Sequence, residues 1–250
     1  MKIVARKNRK KRYEFLKKIM KGRYKKPQFV YLGKELEEPA IIISNHEGTD
    51  APMSLELWCD TTMRMWGAHE MNSGLVKMYK YQSRVYYHEK KHWNLHLARL
   101  FCLIASPLTN LFYKGLNLIS TYNDVRFVKT LKESHKSLQR GESIVVFPED
   151  STKGYLKELE GFHNGVVLLA EYCYKKGMDL PIYVSYFNKA TMQYIFDTPV
   201  MYSKLLSTYI TRDAISQHLL YRCNKLGKME FDKDNNLIKK EDTAEVDAIA

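Results

Sequence analysis

Two short segments, residues 40–44 (AIIIS) and residues 143–147 (SIVVF), constrain the fold more than any other feature of this sequence. Their cores are apolar without alternation of polar side chains. Successive side chains of a β-strand point to opposite faces, so a strand of this kind is covered on both faces. Strands buried in this way are typical of parallel sheets with helices on both sides. The sequence therefore predicts an α/β fold with a central largely parallel or mixed sheet flanked by helices.

The rest of the chain alternates between strand and helix patterns, which favours the same fold class. A length of 250 residues suits one full-sized domain. We expect a helix within residues 1–27, a folded body over residues 28–226, and a polar tail over residues 227–250 that is loosely ordered from Asp232. Further strands are predicted at residues 29–33, 63–69, 116–120, 181–187 and 192–200, and further helices at residues 72–84, 88–105, 123–139, 162–176 and 211–226, after a short helix that ends at Trp58.

Positive charge is concentrated in the first 26 residues. They hold thirteen of the 40 Lys and Arg residues and one of the 28 acidic residues, so the rest of the chain carries 27 of each sign. Apolar side chains recur there at helical spacing, which predicts a basic amphipathic helix. Such a helix suits an anionic membrane surface, and nucleic acid is the other class of partner; alternatively, its apolar stripe docks on the chain's own body. The stripe consists of Tyr13, Leu16, Met20 and Tyr24, with Phe15 and Ile19 beside it.

Two further patterns bear on the location of the protein. The longest uncharged apolar run, residues 100–113, is shorter than a membrane span and contains Pro107, so we expect a buried or interfacial helix with a break. The sequence begins with neither a secretory signal pattern nor a myristoylation signal. We expect a cytoplasmic protein, soluble or peripheral on the inner face of the cell membrane. Its four cysteines lie far apart, which favours reduced, buried thiols: Cys59, Cys102, Cys173 and Cys223.

A polar cluster follows each of the two buried strands. Residues 45–50 (NHEGTD) follow the first strand, and residues 149–153 (EDSTK) follow the second. In an open α/β sheet, ligands bind beyond the carboxyl ends of the strands. If a helix begins at His46, Asp50 lies four positions later on the same face, where a carboxylate orients an imidazole and stabilises its charged form. The opposing interpretation is a helix N-terminus with His46 as an ordinary surface group.

In their order and spacing, these motifs resemble those of the glycerolipid acyltransferases of the lysophosphatidate (1-acylglycerol-3-phosphate) acyltransferase type. Members carry N-H-x-x-x-x-D after a buried strand and, roughly a hundred residues later, F-P-E-G-T-R-S, followed by a helix and an apolar strand. This chain reads SNHEGTD, then VVFPEDSTKGY, GFHNGVVLLAEYCYKKG and LPIYVSYF. The resemblance covers about residues 28–225. It implies an acyltransferase domain over residues 28–226.

The resemblance also implies a reaction and a set of site residues. The reaction is acyl transfer from acyl-coenzyme A or acyl carrier protein to a hydroxyl of a lysophospholipid, with no cofactor and no metal. His46 would be the general base and Asp50 its orienting partner, with the amide of Asn45 among the oxyanion donors. Glu149 matches the acceptor-site glutamate of the family, and Ser151 and Lys153 stand in the same substrate-binding block; the alternatives are a turn acid for Glu149 and a solvated charge for Lys153.

Three departures from the family pattern bear on catalysis and on the acceptor. Asp50 follows His46 by four positions where the family has five. In the family, the third conserved block is F-P-E-G-T-R-S, and its phosphate-binding arginine is replaced here by Thr152. The second block, between N-H-x-x-x-x-D and F-P-E-G-T-R-S, is an apolar strand that ends in an acid and an arginine; the corresponding segment here (LNLISTYND) has no arginine before Arg126. Because lysine does not reproduce the bidentate contact of arginine, the head group of the acceptor stays open. A catalytically inactive relative that binds lipid is therefore a second hypothesis.

A competing motif lies at residues 88–92, which read HEKKH. H-E-x-x-H on a helix is the signature of zinc proteases, in which two histidines on one face bind the metal. Both intervening residues here are lysines, whose charge opposes a nearby dication. A solvated or interfacial row of histidines is the alternative that we favour over a zinc hydrolase.

Overall fold

A computed structural model describes residues 11–150 and 154–240 of the chain. Within these residues, eight strands form one sheet in the order β1-β7-β6-β2-β5-β3-β4, with β8 paired to β6. The five neighbours β6, β2, β5, β3 and β4 are mutually parallel, whereas β7 and β8 run antiparallel to β6. The predicted α/β class with a largely parallel or mixed sheet is confirmed. The strands are β1 (Gln28–Tyr31), β2 (Ile41–Ile43), β3 (Met63–Ala68), β4 (Ile119–Thr121), β5 (Ser143–Val146), β6 (Pro181–Asn188), β7 (Gln193–Phe196) and β8 (Val200–Met201).

Helices cover both faces of the sheet, as the apolar strands β2 and β5 require. Ile42 and Val145 point to one face and pack with residues of α1, α2 and α5. Ile41 and Ile43 point to the other face and pack with residues of α7, α8 and α9. The helices are α1 (Lys11–Arg23), α2 (Asp50–Trp58), α3 (His69–Asn72), α4 (Leu75–Tyr81), α5 (Leu95–Leu116), α6 (Phe127–Gln139), α7 (Gly165–Lys175), α8 (Tyr202–Thr208) and α9 (Arg212–Gly227).

The region between β3 and β4 differs from the prediction. The helix expected over residues 72–84 begins only at Leu75 as α4 and continues as a π-helical segment at Gln82–Lys90, while the short α3 ends at Asn72. The expected break at Pro107 is wrong, because α5, which is 22 residues long, continues through this residue to Leu116. A proline inside a helix removes one backbone hydrogen bond, and here the flanking turns maintain the helix.

The apolar stripe of α1 docks on the body of the protein. Tyr13 is only 1% exposed, and its hydroxyl donates to Oε1 of Glu56 at 2.8 Å. Met20 and Tyr24 pack against the same apolar cluster, whereas Phe15 and Ile19 are exposed. In this structure the apolar stripe of α1 therefore packs on the chain's own body, as the alternative interpretation expected. The apolar side chains of α1 that face solvent are Phe15 and Ile19.

The tail is more ordered than predicted. β9 (Met229–Phe231) and β10 (Leu237–Lys240) form an antiparallel pair. The side chain of Gln193 donates to the carbonyl of Phe231 and accepts from its backbone N–H, which connects the pair to β7. The expectation of loose order from Asp232 is therefore wrong for the residues up to Lys240. The sequence did not indicate this order, because long-range hydrogen bonds leave no periodic pattern in it.

Candidate functional site

The candidate site lies where the chain leaves two adjacent parallel strands in opposite directions. β2 connects through α2 to β3, and β5 connects through α7 to β6, so each connection passes over the other strand. Because such crossovers are right-handed, α2 and α7 cover opposite faces and leave a crevice between the carboxyl ends of β2 and β5. His46 follows β2 and Glu149 follows β5. The structure thus places His46 and Glu149, one residue from each predicted polar cluster, at the same edge of the sheet.

A tight turn holds the imidazole of His46. Glu47 and Gly48 both have positive φ, 39° and 66°, and α2 begins only at Asp50. Nδ1 of His46 lies against the backbone carbonyl oxygen of Gly48. This contact favours the tautomer that carries its proton on Nδ1, so the proton-accepting nitrogen is Nε2.

Aromatic side chains form the walls around His46. The imidazole stacks on Tyr155, with 5.1 Å between ring centroids, and lies 5.0 Å from the ring of Phe147. Nζ of Lys91 lies over the rings of Tyr155 and Tyr86, at 5.8 and 6.0 Å from their centroids. Burial raises the pKa of Tyr155 well above its usual range, so its hydroxyl stays protonated at neutral pH. The imidazole therefore faces a partly desolvated, aromatic environment.

Asp50 contacts a lysine in this structure. Its Oδ2 lies 2.6 Å from Nζ of Lys189, and this hydrogen bond raises the pKa of the lysine. No hydrogen bond joins His46 to Asp50 in the described parts of the chain. The predicted arrangement fails locally because the positive-φ turn precedes α2, so the four-residue spacing does not bring both side chains to one helical face. The role of Asp50 in catalysis stays a prediction.

Asn45 is part of the sheet rather than of the crevice wall. It is 1% exposed; its Nδ2 donates to the carbonyl of Phe187 at 3.1 Å, and its Oδ1 accepts from the N–H of Phe187 at 2.7 Å. The amide thereby joins the chain just beyond β2 to the backbone of β6. Both of its polar atoms are engaged, so this geometry gives no support to the predicted role in binding the oxyanion.

Glu149 is buried at the end of β5. Its backbone forms an antiparallel bridge with Phe162, and the next N–H, of Asp150, donates to the carbonyl of Gly161 at 3.1 Å. These contacts hold the segment after β5 against the approach to α7. Ser151 and Lys153, the other predicted residues of this block, lie outside the described residues.

A basic pocket adjoins Asp50 on the β6 side of the crevice. Its volume is about 290 Å³. Three of its residues are cationic at neutral pH, namely Arg23, Lys25 and Lys189, and Asp50 supplies the single negative charge. The pocket is completed by Tyr24, Ser54, Phe187 and Met192. Its net positive charge suits a phosphate-bearing ligand.

The search of protein-family models finds none that matches this sequence, and no curated protein matches it. The function is therefore inferred from the geometry of the crevice and from the short motifs that surround it.

Two further motifs are accounted for by local contacts. His88 lies in the π-helical segment with Nδ1 2.8 Å from the carbonyl oxygen of Trp93, whereas His92 has a positive φ of 55° beyond the end of that segment. The histidine pair is therefore not presented on one face of an α-helix, and the described residues contain no cluster of three or more His, Cys, Asp or Glu side chains suited to a metal ion.

Arg126 forms an ion pair with Asp124 at 2.7 Å and lowers the pKa of this carboxyl to about 2.

Sequence reasoning missed Tyr155, Lys91 and Lys189. Lys189 directly follows β6, whose carboxyl end lies at the same edge of the sheet as that of β2, so position along the chain was a usable signal. Lys91 lies inside the HEKKH motif, where the histidines drew the interpretation toward a metal. Nothing in the sequence marked Tyr155 as a site residue except its position shortly after residues 149–153.

Proposed function

We propose that this protein is an acyltransferase that moves a fatty acyl group from an acyl thioester to a hydroxyl of a lysophospholipid or related glycerolipid. The observation that carries the proposal is the position of His46, oriented by the Gly48 carbonyl at the carboxyl end of β2 and beside the strand that leads to Glu149. The motif resemblance to the glycerolipid acyltransferases supplies the reaction class.

In the proposed reaction, Nε2 of His46 accepts the proton of the acceptor hydroxyl while the hydroxyl oxygen attacks the thioester carbonyl carbon. The tetrahedral intermediate carries its negative charge on the former carbonyl oxygen, which requires hydrogen-bond donors at the crevice. When the intermediate collapses, the carbon–sulfur bond breaks and the thiolate takes the proton from the imidazolium. The products are an ester and a free thiol on coenzyme A or acyl carrier protein. The proposed reaction uses the acyl thioester as co-substrate and no other cofactor.

We assign the phosphate groups of the substrates to the basic pocket beside Asp50. Coenzyme A, acyl carrier protein and lysophospholipids each carry phosphate, and the family's usual arginines are absent from the second and third blocks. Arg23, Lys25 and Lys189 offer three cations within one pocket. The product and the acceptor are lipids, so the proposed location is peripheral on the inner face of the cell membrane, with anionic phospholipid as partner.

The test is acyl transfer from acyl-coenzyme A and acyl carrier protein to a panel of lysolipids, with wild type compared with His46→Ala and His88→Ala. General-base catalysis contributes roughly 10²- to 10⁴-fold, so His46→Ala should lose that much activity. His88→Ala is the matched control, because a zinc hydrolase would require His88 and the proposed transferase does not. Absence of transfer by folded wild type from every donor to every acceptor would contradict the proposal.

A second candidate is a lipid-binding relative without catalysis, and the ion pair between Asp50 and Lys189 favours it because the expected partner of His46 is engaged elsewhere. This candidate predicts lysolipid binding that is unaffected by His46→Ala and no turnover of any thioester.

A further inference from the structure

Helix α5 exposes an apolar face to solvent along most of its length. At 100° per residue, six large apolar side chains fall within an arc of about 100°. Ile104, near its centre, is 76% exposed. These six residues, which we call the α5 face, are Leu97, Leu100, Phe101, Ile104, Leu108 and Leu111.

The composition of α5 matches that of a membrane helix. It is long and apolar enough to cross a bilayer, and only 22% of its most apolar window is buried within the protein. Contiguous exposed apolar surface of this kind marks an interaction site, whereas scattered apolar residues do not. An unpartnered α5 face in water is therefore unfavourable.

The packing of α5 suits a helix that lies along a bilayer rather than one that crosses it. Ala98, Cys102, Phe112 and Leu116 lie outside the arc of the α5 face and are buried against the protein. Residue 116 is followed within three residues by β4, an integral strand of the sheet. A helix held along one side by the protein presents only its other side to lipid, at the depth of the headgroups and upper acyl chains.

The surroundings of the α5 face suit an anionic membrane. Helix α1 packs beside α5 through Tyr13 and presents Phe15 and Ile19 to solvent, together with exposed lysines. Trp93 is exposed near the N-terminal end of α5. Apolar side chains, an interfacial tryptophan and neighbouring positive charge are the combination that binds anionic phospholipid.

The N-terminal end of the α5 face leads to the crevice through aromatic contacts. Phe101 lies 5.5 Å from Trp93 and 5.1 Å from Tyr87 between ring centroids, and Tyr87 lies 5.0 Å from Tyr86. Lys91 lies over both Tyr86 and Tyr155, and Tyr155 stacks on His46. A chain of aromatic contacts, bridged by the ammonium group of Lys91, therefore runs from the α5 face to the candidate base.

We propose that the α5 face inserts into one leaflet of an anionic phospholipid bilayer, and that lipid enters the crevice at the aromatic cluster of Tyr87, Trp93 and Phe101. The entry step rests on the proposed acyltransferase function, whereas insertion does not.

Vesicle flotation tests the insertion directly. The probe is a vesicle of phosphatidylethanolamine that contains phosphatidylglycerol, and the variant is Ile104→Glu combined with Leu108→Glu. Charges at these positions should lower the vesicle-bound fraction at least about tenfold. Ile210→Glu is the matched control, because Ile210 is 100% exposed between α8 and α9, which pack on the other face of the sheet; it should float like wild type.

Three results would overturn the proposal. In the first, wild type does not float; in the second, the double variant floats like wild type. In the third, wild type is a dimer without lipid and the double variant is a monomer, because a second copy of the chain would then cover the α5 face. Melting temperatures of all variants should agree, because the substituted side chains lack buried contacts.

Depth of insertion gives a second measurement. Lipids brominated near the glycerol end of the acyl chain should quench the fluorescence of Trp93, and Trp93→Phe should remove the quenched component. With a short-chain lysolipid in aqueous solution, the double variant should retain wild-type transfer while losing transfer to vesicle-bound acceptor. Vesicle binding without transfer to either acceptor would leave the insertion intact and contradict the proposed function.

Discussion

At the scale of single residues, the backbone around His46 decides what the imidazole can do. The carbonyl of Gly48 occupies the position at Nδ1 that the resemblance assigns to Asp50. A carbonyl fixes the tautomer as a carboxylate does, but it carries no full charge to stabilise the imidazolium. His46 and Asp50 are therefore expected to contribute unequally.

We predict that Asp50→Asn lowers kcat for acyl transfer by less than about tenfold, compared with the roughly 10²- to 10⁴-fold loss for His46→Ala. Asp50 is paired with Lys189, so its removal affects mainly the basic pocket. Steady-state kinetics of both variants and of Lys189→Gln provide the measurement. Lys189→Gln should raise KM for the phosphate-bearing substrate with little change in kcat. Equal losses of kcat in Asp50→Asn and His46→Ala would instead show that the dyad operates during turnover.

We predict that Asn45→Ala lowers the free energy of unfolding by about 2 to 4 kcal/mol, because it leaves the buried N–H and carbonyl of Phe187 without the amide that pairs them. Urea unfolding followed by circular dichroism measures the change. Asn123→Ala is the control, because Asn123 is exposed and should change the free energy of unfolding by less than about 0.5 kcal/mol. A similar small effect at both positions would mean that water replaces the Asn45 amide.

At the scale of elements, the attachment of α1 depends on one close approach. A Cβ built on Gly115 of α5 would lie 1.9 Å from Cδ2 of Tyr13, so the two helices meet only because residue 115 has no side chain. The buried carboxylate of Glu56 completes the attachment by accepting from Tyr13 and pairing with Lys17 at 2.9 Å. The position of α1 is thus determined by α5 and α2 together.

We predict that Gly115→Ala loosens α1, at a cost of about 1 to 3 kcal/mol that is typical of overpacking. Trypsin should then cleave after the basic residues of α1 faster than in wild type. Gly22→Ala is a matched control within α1, because nothing lies within 4 Å of its Cβ and alanine favours the helix by about 1 kcal/mol. Unchanged cleavage in Gly115→Ala would show that α1 is not held by this contact.

An ion-pair group between α7 and α9 predicts a pH dependence of stability. Arg212 and Lys175 each approach the carboxylate of Glu171 to 2.6 Å and lower its pKa to about 2. Because the folded pKa is below the ordinary value of 4.5, the stabilisation is present above about pH 4.5 and is lost as the pH falls toward 2. Glu171→Gln should therefore be less stable than wild type at pH 7, by about 1 kcal/mol or less because both basic partners are exposed. Denaturant unfolding at several pH values should show the two proteins converging in acid; a difference that does not vary with pH would contradict this.

At the scale of the whole molecule, charge and apolar surface lie together around α1 and α5. The net charge of +12 equals the excess within the first 26 residues, and the α5 face lies beside α1, which comprises Lys11–Arg23 of this segment. Electrostatic attraction to an anionic surface and burial of the α5 face would then act at the same side of the protein.

We predict that added salt weakens binding to vesicles that contain phosphatidylglycerol without abolishing it. Raising the ionic strength from 0.1 to 1 M shortens the Debye length from about 10 to about 3 Å, which screens the charge contribution but not the burial of apolar side chains. Flotation at both ionic strengths, with phosphatidylcholine vesicles as the uncharged control, measures the separate contributions. Complete release at high salt would mean that the α5 face contributes nothing, and steep salt-dependent retention on DNA would favour the nucleic-acid alternative.

Much of the fold was predictable because burial on two faces leaves a direct record in sequence. The apolar cores of β2 and β5 predicted buried strands of a largely parallel sheet, and the polar residues after them predicted ligand-binding positions beyond the carboxyl ends of these strands. Contacts made between distant segments left no such record. The Asp50–Lys189 pair joins positions 139 residues apart by sequence number, and the positive φ of Glu47 that redirects His46 is unusual for a residue other than glycine.

The sequence by itself therefore determined the α/β class, the strands at the centre and the edge at which the polar clusters meet, because periodicity and burial are local properties of a chain. Tertiary structure decided which apolar surfaces are covered. It buried the stripe of α1 against Gly115 and left the face of α5 exposed, although α5 is the more apolar of the two helices in sequence. It also decided the hydrogen-bond partners of His46, Asn45 and Asp50, because those depend on turn dihedrals and on neighbouring strands that a local pattern does not specify.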